Sequence, residues 1–159
     1  MLAVKQAIIS GAVVILIFGS LAHSAAKKPL NFQITVMADG EDQDATKAGF
    51  QTRNSNYAHF GYHGYKASDG QRLRSKYGEL RTEDEANRYF DWSLAKAARV
   101  ITEGDKFDRK GKPVGRRAEV SLNPDRSSYA VMWTHGAMFR EILADDLAHA
   151  IALEKQDGD

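Results

Sequence analysis

Six of the twelve residues from Lys106 to Arg117 (KFDRKGKPVGRR) are basic, against a single acid, Asp108. Clustered cations of this kind attract phosphate, acidic lipid headgroups or anionic envelope polymers. Lys106, Arg109, Lys110, Lys112, Arg116 and Arg117 are therefore the first candidate binding residues. Gly111, Pro113 and Gly115 lie among them and suggest a projecting hairpin loop. The competing explanation is a solvated hairpin whose charges keep neighbouring strands from pairing along their edges.

A second cluster runs from Tyr57 to Tyr65 (YAHFGYHGY). Exposed aromatic side chains there, Tyr57, Phe60, Tyr62 and Tyr65, could anchor carbohydrate or peptide. Packing against a core with the polar tips in water is the default for such residues. His59 and His63 are four apart, which suits metal chelation on a helix. Gly61 and Gly64 favour a strand instead, where four residues span about 13 Å, too wide for one ion. No metal and no cofactor is expected. The acidic run from Asp39 to Asp44 lacks the glycine and the glutamate that a calcium loop places at its sixth and twelfth positions. It reads as a solvated loop.

Catalytic signatures are missing. There is no Gly-x-Ser-x-Gly, no His-Glu-x-x-His and no glycine-rich phosphate loop. His135, beside Gly136 at a strand end, is the histidine best placed for acid–base work, while His149 reads as a surface residue of a terminal helix.

The chain has no cysteine, which excludes disulfides, zinc–thiolate sites and a cysteine nucleophile. Its 159 residues suit one domain, and 43% apolar with 27% charged side chains is ordinary globular composition. A net charge of +1 gives no general attraction to nucleic acid or to a membrane. Residues 1–26 read as an export signal. Lys5 opens it, an uncharged apolar run from Ala7 to Leu21 follows, and small residues precede cleavage after Ala26 or Ser24. The alternative is an uncleaved anchor, which needs about 20 apolar residues and would make the protein single-pass and membrane-bound. The remainder, 27–159, is read as a single domain.

The elements that must position these residues follow from periodicity. A strand is expected over 31–38, a long loop over 39–56, an extended segment over 57–65 and irregular basic chain over 66–81. Thr82-Glu83-Asp84-Glu85 is a capping box that opens the main helix, about 82–98. Strands follow at 99–104, 116–122, 129–134 and 138–143, with a loop over 105–115, and a C-terminal helix spans about 145–155. The order predicts an α+β fold in which an antiparallel meander packs against the main helix, as a roll or two-layer sandwich.

Three functions fit this reading. The leading one is an exported, non-enzymatic domain that binds a macromolecule or an anionic envelope surface through the basic hairpin. The second is a roll enclosing a small-molecule pocket walled by Phe90, Trp92, Trp133 or Phe139, with hydrolase or isomerase activity. The third is a structural, homo-oligomeric role in the envelope.

Overall fold

The computed structural model describes residues 29–157, so the export segment 1–26 lies outside the described residues. Seven strands form one antiparallel sheet: β1 (Phe32–Glu41), β2 (His59–Ala67), β3 (Arg72–Glu79), β4 (Arg99–Phe107), β5 (Pro113–Ser121), β6 (Tyr129–His135) and β7 (Met138–Ala144). Three helices accompany them: α1 (Gln43–Lys47), α2 (Glu83–Leu94) and α3 (Leu147–Asp157). Across the sheet the order is β1-β2-β3-β7-β6-β5-β4. Two meanders, β1 to β3 and β4 to β7, are thus joined edge to edge where β3 meets β7. The α+β class and the antiparallel meander are those expected from the sequence.

The layering follows from β6. Its central residues are buried on both sides, which is why Ala130 to Thr134 reads as one continuous apolar run. Ala130 and Met132 pack with α2 residues Ala86, Tyr89 and Phe90. Val131 and Trp133 point the other way, into a cluster with Ala150 and Leu153 of α3. The two helices therefore cover opposite faces of the sheet. Tyr89, Phe90 and Phe139 are fully buried on the α2 side, and each such side chain stabilises the fold by about 1.5–3 kcal/mol.

α2 starts where the capping box placed it. The Thr82 hydroxyl accepts from the Glu85 amide at 3.1 Å. Glu85 does not complete the box, because its carboxylate accepts from the Gln51 amide at 3.2 Å. The helix ends at Leu94, with Ala95 as its C-cap, rather than near 98.

Three expected loops are ordered differently. In 39–56, β1 continues to Glu41 and Asp42 then caps α1, accepting from the Ala45 amide at 3.0 Å. Five helical residues are too few to leave a periodic signature. In 66–81, β3 is a regular strand whose Arg72, Arg74 and Lys76 alternate with Leu73, Ser75 and Tyr77. Its period is two, but cations stand where apolar residues usually mark a face. In 105–115, β4 runs on to Phe107 and β5 begins at Pro113, so the projecting loop is only a tight turn. Gly111 supplies the positive φ of that turn, +76°. Gly115 is needed for a different reason: a Cβ there would meet the Thr134 carbonyl oxygen at 2.0 Å. No helix among the described residues is long and apolar enough to cross a membrane.

Candidate functional site

Because α2 packs on β5, β6 and β7, the same face of β1, β2 and β3 is left to other occupants. A groove of about 710 Å³ lies there, reaching from Thr35 and Val36 of β1 across to Leu143 of β7. Val36, Tyr62 and Leu143 supply apolar surface, and Lys66, Arg72 and Arg74 supply charge. Asp145 is the one acidic side chain lining it.

Strand register explains how the cations converge. Lys66 stands directly opposite Arg72, and Arg74 is two residues further along β3 on the same face. Like charges facing each other across a strand pair are destabilising. Among the described residues none of these three makes an ion pair, and all three are exposed.

The neighbouring cross-strand row is Tyr62, Lys76 and Glu141. The Lys76 ammonium donates to Asp42 Oδ2 at 2.7 Å and lies 4.8 Å from the Phe60 ring centroid. The Tyr89 hydroxyl donates to the same carboxylate oxygen at 3.2 Å. Burial works against the Asp42 charge, yet the hydrogen bonds from Lys76, the Ala45 amide and Tyr89 hold its pKa below the usual value. Burial, reinforced by Asp42 and Glu141, raises the Tyr89 and Tyr62 phenols. Glu141 is raised as well, mainly by burial, with Lys76 opposing and Asp42 adding to the rise.

The basic hairpin is arranged otherwise. Lys106 donates to Glu154 at 2.8 Å. Arg117 grips both oxygens of Glu154, at 2.6–3.0 Å, and reaches Glu119 at 2.8 Å. Arg116 is held by Asp91 at 2.7 Å and Glu103 at 2.6 Å. Lys106, Arg116 and Arg117 thus serve internal ion pairs. Arg109, Lys110 and Lys112 stand exposed at the turn.

The aromatic cluster divides in the same way. Phe60 is fully buried in the core and Tyr65 is buried at 4% exposure, so neither is a surface anchor. The Tyr65 hydroxyl donates to Asp157 at 2.8 Å, and burial together with that carboxylate pushes its pKa up to about 12. Tyr57 is 41% exposed, and Tyr62, whose side chain shares the cation face of β2, lines the groove together with Tyr65. Of the expected pocket walls, Phe90, Phe139 and Trp133 are core residues, and Trp92 packs against Phe50 and Tyr89.

His59 pairs with Asp39 at 3.3 Å, and His63 sits between the hydroxyls of Tyr77 (3.1 Å) and Tyr65 (3.3 Å). Among the described residues no group of three or more potential ligands is arranged around a metal position. His135 is exposed at the end of β6. His149 is not a bare surface residue: its ring is clamped by Asp146 at 2.6 Å and Asp69 at 2.7 Å. Lys66, Arg72 and Arg74 were not singled out from the sequence. The alternation of cations along β3 was the one available signal. Comparison with protein-family models, curated proteins and solved structures finds no match for this chain.

Proposed function

We propose that this is an exported binding protein that holds an amphipathic anion, a carboxylate or phosphate on an apolar body, in the groove over β1, β2, β3 and β7. The observation that carries the reading is the convergence of Lys66, Arg72 and Arg74, none of them in an ion pair among the described residues, on one concave, partly apolar face where Asp145 is the one acidic lining residue. An arrangement that costs stability and serves no internal pairing is expected where a ligand supplies the missing charge. The hairpin, by contrast, spends Lys106, Arg116 and Arg117 on ion pairs within the fold. Export is supported by Lys5, the apolar run Ala7 to Leu21 and the small residues before Lys27.

Isothermal calorimetry of the full chain with decanoate, decyl phosphate and inorganic phosphate tests this. Both amphiphiles should bind, inorganic phosphate should bind far more weakly, and an Arg72→Ala/Arg74→Ala double variant should lose tenfold or more in affinity. Association only with vesicles of anionic lipid would overturn the soluble-amphiphile reading. So would a loss of binding in a Lys110→Ala/Lys112→Ala variant but not in the groove variant.

A further inference from the structure

Among the described residues, His149 is the histidine with a carboxylate on each ring nitrogen. Its Nδ1 lies 2.6 Å from Asp146 Oδ2 and its Nε2 lies 2.7 Å from Asp69 Oδ2. His59 meets a single acid, Asp39, and His63 lies between two phenol hydroxyls. A neutral imidazole carries one N–H, so it would satisfy one of the two carboxylates and turn a lone pair on the other. The imidazolium donates to both. Asp69 faces the ring from the turn between β2 and β3, and Asp146 faces it from the approach to α3. Beside them the hairpin and α3 pack through apolar residues, among them Ala67, Leu73 and Ala150. Burial works against a charge on His149, but the hydrogen bonds to Asp146 and Asp69 raise its pKa above the ordinary value of about 6.5.

The two acids sit on segments that border the groove. Asp69 lies in the turn between Lys66 and Arg72, the cross-strand pair among the lining cations. Its other carboxylate oxygen accepts from the Gln71 amide at 3.2 Å. The same turn is closed by the Ala67 amide on the Gln71 carbonyl at 2.8 Å and by the Gly70 amide on the Ala67 carbonyl at 2.9 Å. Asp146 follows Asp145, which lines the groove. One ring thus ties the turn flanked by Lys66 and Arg72 to the β7–α3 junction, 80 residues away along the chain.

We propose that His149 is a pH-operated latch: protonated, it locks the β2–β3 turn to α3 and sets Lys66 and Arg72 for the anion, and neutral, it releases the turn and loosens the anion's hold. The effect on the anion rests on the groove reading; the latch itself does not. A base whose pKa is raised by folding contributes its full stabilisation below the unfolded value and loses it as pH rises through the folded one. The latch is therefore closed in mild acid and opens above the raised His149 value. Opening also strips the Asp69 carboxylate of its cation. That carboxylate, three residues from both Lys66 and Arg72, then competes with the ligand for them.

The test is an NMR pH titration of the full chain that follows the His149 ring together with exchange of the Ala67 and Gly70 amides, corrected for intrinsic rate. The ring should titrate above about 6.5, and both amides should exchange about two- to fivefold faster beyond that midpoint, the worth of a partly exposed ion pair. Asp69→Asn should lower the ring midpoint, and His149→Gln should abolish the pH dependence of exchange. A ring that titrates at or below about 6.5, or amides indifferent to its midpoint, would overturn the latch. Calorimetry with decanoate over the same pH range reads the groove: affinity should fall about two- to fivefold in wild type and stay level in His149→Gln. A level wild-type affinity beside a titrating turn would overturn the control of the groove. No decanoate binding at any pH would overturn the groove reading, and with it that control, but not the latch.

Discussion

Replacing Glu154 by alanine removes the acceptor that ties α3 to the sheet. Its side chain is 5% exposed, and its two oxygens take Lys106 Nζ at 2.8 Å and Arg117 at 2.6, 2.8 and 3.0 Å. Breaking a buried ion pair from one side costs about 3–5 kcal/mol, because the remaining charge stays poorly solvated. Two features soften that here. Arg117 keeps Glu119 at 2.8 Å, and the Arg117 and Lys106 side chains are 23% and 16% exposed, so water recovers part of the loss. We expect Glu154→Ala to cost about 2–4 kcal/mol, which lowers Tm by about 6–12 °C in a chain of this size.

The effect has a pH signature. Burial opposes the charge on Glu154, but hydrogen bonds from Arg117 and Lys106 hold its pKa below the usual carboxyl value. A carboxyl depressed in the folded state contributes stability that is full above its unfolded pKa of about 4.3 and is lost as pH falls through the folded value. Urea unfolding of wild type, Glu154→Ala and Glu154→Gln at neutral and acid pH should show the gap closing in acid. A neutral-pH loss below about 1 kcal/mol, or a gap that persists in acid, would refute the ion cluster as the fastening of α3.

Two further outcomes follow from the sheet. Gly115→Ala should destabilise by more than about 2 kcal/mol, since its Cβ would press on the Thr134 backbone at 2.0 Å, whereas Gly104→Ala on the paired strand meets nothing within 4 Å and should be neutral or mildly stabilising. Thermal melts that shift equally would contradict the close approach of β5 to β6. Arg72→Gln should raise the melting temperature of the ligand-free protein, by about 0.2–1 kcal/mol of relieved repulsion against Lys66, while weakening decanoate binding. A variant that loses both stability and affinity would show that Arg72 supports the fold and not a ligand.

Much of the fold is written in short-range pattern. The Thr82 cap announced α2, alternation announced β5 and a continuous apolar run announced β6, because caps, pleats and runs depend only on residues a few positions apart. β3 went unread because its regular alternation is made of cations, which burial arguments treat as loop. α1 went unread because one turn leaves no period. That residues 106–117 are rich in basic side chains is fully visible in the sequence, and so is the aromatic character of 57–65.

What those side chains do was decided by partners brought from afar. Glu154, which captures Arg117, is 37 residues away from it, and Asp42, which captures Lys76, is 34 away. The pairing of β3 with β7 sets Lys76 opposite Glu141, and it lays Lys66, Arg72 and Arg74 along the open half of the α2 face. The amino-acid sequence on its own determined which segments alternate, which helix is capped and where charge is plentiful, since each is a matter of local geometry. Only the tertiary structure decided which cations are neutralised and which are left facing a groove. An ion pair needs an opposite charge within about 4 Å, and long-range strand pairing is what sets that distance.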